Sequence, residues 1–211
     1  MNYTSLFSSP TFSRIIRSRH VQQIILVTTN SWASQLGTLH MLSRGESHWF
    51  HDAPEVSVTV GKSGLGWGNG LHQVTNTAPQ KVEGDHRAPA GVFGLGPAFG
   101  NDVHAPLHVT IPYRRVSEMD YYIDDPKSPD YNQWVTLNKN QANEPQLRWN
   151  SFEQMNRPDG LYELGLVIQH NVAPTVKGKG SAIFLHVWRD AGIPTEGCTA
   201  MAKDKLLTLI R

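Results

Sequence analysis

The chain has 211 residues, enough for one large domain with a well-buried core. Lys and Arg (19) nearly balance Asp and Glu (18), and the formal net charge of +1 argues against nucleic acid or an anionic membrane as a partner. Eighteen Gly and 13 Pro residues, with few helical patterns, predict a mainly β fold rich in loops.

The first 20 residues are predicted to form an N-terminal extension. They lack the basic, apolar and small-residue series of a secretory signal, and no apolar run in the chain is long enough to span a membrane. Taken literally, this predicts a cytoplasmic protein with no membrane span. Ser9-Pro10 suits the start of a short basic helix over residues 11–19, which we expect to be solvated.

Segments rich in β-branched residues, or with alternating apolar and polar residues, predict strands in the first third of the chain. These segments cover residues 21–29, 37–42, 47–51 and 55–60. His48 and His51 lie close to Asp52, but their spacing matches no zinc signature. We therefore interpret them as strand residues and predict no metal site.

A glycine-rich loop is predicted from Gly61 to Gly70. It contains Gly61-Lys62-Ser63, but the earlier glycine of a phosphate-binding loop is replaced by Val56. We interpret the segment as a loop on a β scaffold, where Trp67 could cover a ligand.

The segment 81–96 predicts a tight turn at Pro89 and Gly91, followed by a strand that starts near Val92. Asp85 and His86 either contact a substrate or belong to the turn, and capping of the turn by Asp85 is favoured. Residues 97–160 show few periodic elements.

Only residues 104–111 and 132–137 of that long stretch predict strands. A connection of this length between core strands is typically a functional lid or wall, so we predict a loop-rich insertion at 97–160. A strongly apolar strand follows at 161–170 and ends in His170. Residues 203–211 predict a short closing helix.

The most informative segment runs from Gly180 to Met201. Its apolar start predicts a buried strand that ends at His186, and a loop then leads to Gly197-Cys198. Cys198 is the only cysteine, so it forms no intrachain disulfide and is a candidate nucleophile. Because a thiol attacks as its thiolate, it needs a nearby base, and His186 is suited to that role.

Two further points concern the neighbours of Cys198. Gly197 permits a sharp turn, so that backbone N–H groups near Cys198 could face an oxyanion. The strand before this segment also ends in a histidine, and we expect His170 and His186 to lie side by side, with His170 either orienting substrate or satisfying loop backbone. The alternative for Cys198 and His186 is a structural role in the core.

Leu185-His186 together with Thr195-Glu196-Gly197-Cys198 resembles the signature of the L,D-transpeptidase (YkuD-like) family. Gly84-Asp85 followed by Pro89–Phe93 resembles a second segment of that family. The resemblance implies a single catalytic domain over 21–211, built as a sandwich or open barrel of mixed strands with short helices. The chain departs from the family at Glu196, where His is common, and at Ala200, where Arg is common.

The resemblance implies a cysteine acyltransferase that acts on peptidoglycan stem tetrapeptides. Cys198 would attack the third-position diamino acid and release D-alanine, with His186 as the base. Oxyanion or substrate contacts would come from Gly197, Thr199, His170 and Trp188, and no cofactor or metal is implied. An amine acceptor would make the protein an L,D-transpeptidase, and water would make it an L,D-carboxypeptidase. The implied partners are stem peptides or muropeptides, and a carbapenem adduct on the thiol.

Two other hypotheses stay open. The absence of Arg at Ala200 favours a noncatalytic peptidoglycan-binding module, and the content of ten histidines admits a zinc peptidase. Since the family acts mostly outside the inner membrane, a periplasmic or cell-envelope location is expected if a leader is missing from the sequence.

Overall fold

The computed structural model describes residues 7, 9–46, 48–73, 77–101, 109, 111–138, 140 and 144–211. Within this part the chain is mainly β, with a curled mixed sheet and two short helices. The predicted mainly β class is confirmed. None of the helices in these ranges is long and apolar enough to cross a membrane.

The elements in chain order are α1 (Pro10–Ser18), β1 (Gln23–Thr29), β2 (Leu36–Arg44), β3 (Trp49–His51), β4 (Val56–Thr59), β5 (Leu65–Trp67), β6 (Ala88–Ala90), β7 (Leu95–Gly100), β8 (Tyr113–Arg115), β9 (Asp120–Tyr122), β10 (Trp134–Thr136), a 3-10 helix (Pro145–Leu147), β11 (Glu153–Gln154), β12 (Leu164–Ile168), β13 (Phe184–Val187), β14 (Thr199–Met201) and α2 (Lys203–Ile210). The main sheet has the order β1-β2-β4-β14-β13-β12-β7-β8, with β3 also paired to β2. A small sheet has the order β10-β9-β11, and β5 pairs with β6.

The centre of the main sheet combines one parallel and one antiparallel pair. Strands β13 and β14 are parallel, with His186 opposite Ala200, whereas β12 and β13 are antiparallel, with Gly165 opposite His186. Because parallel strands need a crossover, the segment between β13 and β14 must carry the chain back along the strand direction. Cys198 therefore lies near the beginning of β13.

Alternation along β13 separates two buried faces. Leu185 belongs to a core cluster with residues of helix α2, including Leu206. Phe184 faces the other way and packs with Tyr122 of the small sheet, ring centroids 5.1 Å apart. Since side chains of a strand alternate between faces, His186 shares the face of Phe184. The histidine thus points away from helix α2.

The stretch 97–160 is more ordered than the loop-rich insertion that we predicted. It contributes β8, β9, β10 and β11, and residues of this stretch form their own core cluster of Tyr121, Ile123, Leu137 and Trp149. The strand predicted at 132–137 is confirmed as β10, whereas the one at 104–111 lies mostly outside the described residues. Strands of two or three residues are too short to show a periodic pattern, which explains why sequence reasoning missed them.

The N-terminal helix is confirmed as α1, but the expectation that it is solvated is wrong. Phe12, Ile15 and Ile16 are each only 8% exposed. Phe7 stacks on Trp49 of β3, with ring centroids 5.7 Å apart, and so joins this segment to the sheet. The apolar face of the helix is therefore already covered by the rest of the chain.

The other predicted elements differ from the structure mainly at their ends. The early segments correspond to β1, β2, β3 and β4, the apolar strand to β12, and the closing helix to α2. The strand expected near Val92 begins instead at Leu95, and Ala88–Ala90 forms β6 before it. Gly91, with φ of +141°, lies between these two strands and ends the extended conformation of β6.

Candidate active site

A cleft of about 510 Å³ opens beside β13 and β14. Both predicted reactive groups, Cys198 and His186, line it, together with Gly197, Trp188 and Ala200. Cys198 belongs to the buried apolar cluster that contains Phe184 and Tyr162, but it also lines the cleft, so a ligand has space beside it.

The thiol of Cys198 is 8% exposed and has two backbone partners. Its Sγ–H donates to the carbonyl oxygen of Ala182 over 3.4 Å, and Sγ accepts from the N–H of Phe184 over 3.4 Å. Burial raises the pKa of the Cys198 thiol to about 12, and the charge of Glu153 adds to the effect. The resting group is thus a neutral thiol.

The imidazole of His186 is oriented by its own strand. Its Nδ1 lies 2.8 Å from the carbonyl oxygen of Val187, which can only accept a hydrogen bond. The proton is therefore assigned to Nδ1, and Nε2 carries the lone pair that a base needs. The ring packs edge-on against Tyr162, with centroids 5.4 Å apart. Burial lowers the pKa of His186 to about 4, so the resting imidazole is neutral.

Strand register relates the two groups. His186 is opposite Ala200, and Cys198 is two residues earlier than Ala200, which places it on the same face. Cys198 and His186 are therefore diagonal neighbours across a parallel pair. Ala200 lies on the same face and lines the cleft with them. In this conformation the thiol donates its proton to the carbonyl oxygen of Ala182. The side chain of Cys198 must therefore rearrange before His186 can take that proton.

The turn before the thiol is fixed by Thr195. Its Oγ1 donates to the carbonyl oxygen of Cys198 over 2.7 Å and accepts from the N–H of Gly197 over 3.2 Å. Gly197 has φ of +147°, in the region that favours glycine. Because its N–H is engaged with Thr195, Gly197 does not offer that donor to an oxyanion in this conformation.

Glu196, which replaces a histidine of the family pattern, forms part of an ion-pair group on the cleft rim. Its Oε2 lies 2.8 Å from Nζ of Lys62 and 2.7 Å from Nδ1 of His86. The hydrogen bond from Lys62 is the main reason that the pKa of Glu196 is lowered. The carboxylate is therefore charged, and the ammonium of Lys62 compensates it.

The remaining predicted site residues divide into two groups. Trp188 lines the cleft, whereas Thr199 is a strand residue opposite Leu185 and is not part of the cleft wall. His170 is also outside the wall. The expectation that His170 and His186 lie side by side is wrong, because β12 and β13 are antiparallel and their C-terminal ends lie at opposite edges of the sheet.

The structure places His170 in a structural role. It is 1% exposed, its Nε2 lies 3.0 Å from the carbonyl oxygen of Lys179, and its ring packs edge-on against Phe93. Burial lowers its pKa to about 4. These contacts agree with the alternative prediction for His170, a histidine that forms hydrogen bonds with loop backbone.

Sequence reasoning missed several charged residues of the cleft wall, among them Lys81, Glu83, Glu153 and Arg157. Arg157 donates to Glu153 over 3.0 Å and to Asp159 over 2.6 Å. Glu153 also accepts from the hydroxyl of Tyr162 over 3.3 Å, and burial raises its pKa. No motif marks these positions, because Glu153 belongs to a two-residue strand of the small sheet.

The predicted capping role of Asp85 is confirmed. Its carboxylate accepts from the N–H groups of Val82 and Arg87, over 2.8 and 2.9 Å, and from Nζ of Lys81. These bonds fix the turn between the glycine-rich loop and β6. Lys81 could have been noticed from its spacing to Asp85, although a four-residue spacing outside a helix is a weak signal.

Within the described ranges, no group of three or more His, Cys, Asp or Glu side chains is placed to hold a metal ion. His51, which we interpreted as a strand residue, ends β3 and packs edge-on against His40, ring centroids 5.6 Å apart.

No protein-family model, curated protein or solved structure matches the chain in comparisons of sequence and fold. The cleft itself and the motif resemblance are therefore the observations that bear on function.

Proposed function

We propose that the protein is a cysteine acyltransferase of the L,D-transpeptidase type, acting on peptidoglycan stem tetrapeptides. The main support is one observation: the only thiol of the chain, and an imidazole whose Nε2 is available, line the same cleft from adjacent parallel strands. A nucleophile beside a base that is itself oriented by a third group is the usual arrangement for covalent acyl transfer.

In the first half of the reaction, the thiol proton moves to Nε2 of His186 as Sγ of Cys198 bonds to the carbonyl carbon of the diamino acid. The C–N bond to D-alanine then breaks, and His186 returns the proton to the departing amine. In the second half, His186 takes a proton from the attacking amine or water as the new bond forms at the thioester carbon, the S–C bond breaks, and His186 returns the proton to Sγ of Cys198. No step needs an oxidant or a cofactor.

Both reactive groups start neutral, because burial raises the pKa of Cys198 and lowers that of His186. The charged thiolate and imidazolium are thus disfavoured until a substrate is present. An imidazolium with a low pKa is in turn a strong acid toward the leaving amine. The burial that protects the resting thiol therefore favours protonation of the leaving group.

The direct experiment incubates the purified protein with tetrapeptide muropeptides and follows the products by mass spectrometry. Tripeptide indicates transfer to water, and cross-linked dimers indicate transfer to an amine. We expect Cys198→Ala and His186→Gln to lose turnover while circular dichroism shows an intact fold. Turnover by Cys198→Ala at the wild-type rate would overturn the assignment of the nucleophile.

A carbapenem provides an independent readout. We expect the intact mass of the wild-type protein to increase by one carbapenem and a peptide map to place the adduct on Cys198. The matched Cys198→Ala protein should show no increase.

A noncatalytic peptidoglycan-binding module is the second candidate, and the neutral, hydrogen-bonded thiol favours it. In that case Cys198→Ala and wild type would bind muropeptides equally well and neither would convert them. Calorimetry beside the product assay distinguishes the two proposals.

A further inference from the structure

Lys81 is a buried cation of the cleft wall. Its side chain is 4% exposed, although the residue lines the same cleft as Cys198. The alkyl chain of Lys81 passes Gly180, where an added Cβ would come within 3.0 Å of Cε of Lys81. Its Nζ lies 3.9 Å from the position of a Cβ on Gly197, the residue before the thiol. Two glycines thus leave the room that brings this ammonium to the thiol-bearing turn.

The hydrogen bonds of this ammonium are incomplete. An ammonium group has three N–H donors. Among the described residues, Nζ of Lys81 donates to the carbonyl oxygen of Val82 over 2.9 Å and to Oδ1 of Asp85 over 2.5 Å. One N–H remains. A buried charge that lacks part of its hydrogen bonding attracts a further acceptor, and an anionic one most strongly.

Several other titratable groups line the cleft with Cys198 and Lys81. Arg157, like Lys81, lowers the pKa of the thiol, whereas Glu153 raises it. Tyr162 and His186 also line this part of the cleft, and both are neutral there. Arg157 is held by two carboxylates, those of Glu153 and Asp159. The charge of Lys81 is paired with one.

The charge on that single carboxylate is itself shared. Asp85 accepts two backbone N–H bonds in addition to the bond from Lys81. The negative charge of Asp85 is therefore partly compensated by the backbone N–H groups of Val82 and Arg87. The field of Lys81 at the thiol is less fully neutralised than that of Arg157.

We propose that Lys81 is an anion-stabilising residue of the candidate active site. Its remaining N–H binds the negatively charged oxygen of a ligand that reaches Gly197 and Cys198, and its charge favours the thiolate. The ligand class that this predicts carries a carboxylate, or develops an oxyanion, next to the sulfur. The inference deepens the proposed function and rests on it only in taking Cys198 as the reacting group.

The test compares two alkylating reagents of similar size on the intact protein. Iodoacetate is anionic and iodoacetamide is neutral, so the ratio of their rates with Cys198 reports an anion-binding position beside the sulfur. We expect the ratio of the iodoacetate rate to the iodoacetamide rate to fall by about tenfold in Lys81→Met, a factor that corresponds to one pKa unit. The rate with iodoacetamide should fall as well. Lys203→Met is the matched control, because Lys203 also pairs with a carboxylate, Glu163, over 2.7 Å and does not line the cleft.

A second variant tests the proposal with the opposite sign. In Asp85→Asn the amide oxygen can keep one of the two backbone bonds, that from Val82 to Oδ2 or that from Arg87 to Oδ1, and the charge that compensates Lys81 is removed. We expect the ratio of iodoacetate to iodoacetamide rates to rise above the wild-type value. This variant also decides the question if Lys81→Met does not fold by circular dichroism.

An unchanged ratio in Asp85→Asn, or an equal fall in Lys203→Met and Lys81→Met, would overturn the role of Lys81. Alkylation needs no turnover, so this result is separate from the muropeptide assay. A protein that shows the expected ratios but converts no muropeptide retains the role of Lys81 and loses the proposed function. A protein that converts muropeptides but shows no charge-dependent ratio retains the proposed function and loses the role of Lys81.

Discussion

The thiol of Cys198 donates its hydrogen bond to the carbonyl oxygen of Ala182, 3.4 Å away, just before the strand that carries the proposed base. Ala182 has φ of +53°, a conformation that costs a non-glycine residue roughly 1 kcal/mol. Its N–H donates to Oδ1 of Asn132 over 3.2 Å, which helps to hold the peptide in place. The resting position of the thiol is therefore set by backbone rather than by His186.

This arrangement predicts slow alkylation of the thiol at neutral pH. Because burial raises the pKa of Cys198 to about 12, the iodoacetamide rate should increase about tenfold for each pH unit from about pH 7 to about pH 10. Intact mass spectrometry of timed samples measures it. The unfolded protein in urea is the control and should level off near the ordinary thiol pKa of about 8.5. A plateau by about pH 8 in the folded protein would contradict the burial argument.

Stability at acid pH depends on buried histidines whose pKa is lowered in the folded protein, and His170 and His186 are two of them. His170 and His186 have folded-state pKa values of about 4, below the ordinary value of 6.5. The unfolded chain therefore binds protons between these values that the folded chain does not, so stability is full above pH 6.5 and falls as the pH decreases toward 4. Each histidine lowers the free energy of unfolding by up to about 1.4 kcal/mol per pH unit.

Urea unfolding at about pH 7, 6 and 5 measures this slope. In His170→Gln, one of the two titrating groups is absent, and the slope contributed by the pair should be halved. Equal free energies of unfolding at the three pH values would contradict the neutral burial of both rings.

The sequence indicated that Cys198 and His186 would share a site, and they line one cleft, but it did not indicate what surrounds them. A buried strand around His186 and a turn at Gly197 are local patterns, and both are present, although the strand ends at Val187. The pairing of strands is a long-range property. No pattern in the sequence states that β12 and β13 are antiparallel, and this is why the expected proximity of His170 and His186 was wrong.

The same limit explains the missed cleft residues. Glu153 and Arg157 reach the site through the small sheet, whose strands have two or three residues and no measurable period. Lys81 reaches it because Gly180 and Gly197 lack side chains. Such complementarity between distant glycines and a long side chain appears only once the chain is folded.

The structural interpretation of His170 predicts a loss of stability without a loss of reactivity at the thiol. His170→Ala removes a buried ring and the bond between Nε2 and the carbonyl oxygen of Lys179. We expect the free energy of unfolding to fall by about 2–4 kcal/mol, measured by urea at about pH 7. His20→Asn, at an exposed position, is the control and should change it by less than about 0.5 kcal/mol.

The alkylation rate of Cys198 at about pH 8 separates this interpretation from a role in the site. It should be the same in His170→Ala as in wild type, within a factor of about 2. A tenfold change in a folded His170→Ala protein would instead connect His170 to the thiol.

The surroundings of Ala200 do not accommodate the arginine that is common at this position in the L,D-transpeptidase family. The residue is 1% exposed, lies opposite both His186 and Thr59 in the sheet, and stands on the cleft face. A guanidinium there has no described carboxylate opposite it in the sheet and would have to displace the imidazole or leave its position. We therefore expect Ala200→Arg to lower the free energy of unfolding by about 3 kcal/mol or more, and not to increase muropeptide turnover.

The matched control is Ala200→Ser, which adds one small polar group at the same position and should cost about 1–2 kcal/mol. Urea unfolding of the two variants gives the comparison, and the product assay is run on each under folding conditions. If Ala200→Arg were as stable as wild type and turned over muropeptides faster, the guanidinium would have to extend into the cleft and bind the substrate carboxylate. That result would assign carboxylate binding to position 200 and remove the need for Lys81 in that role.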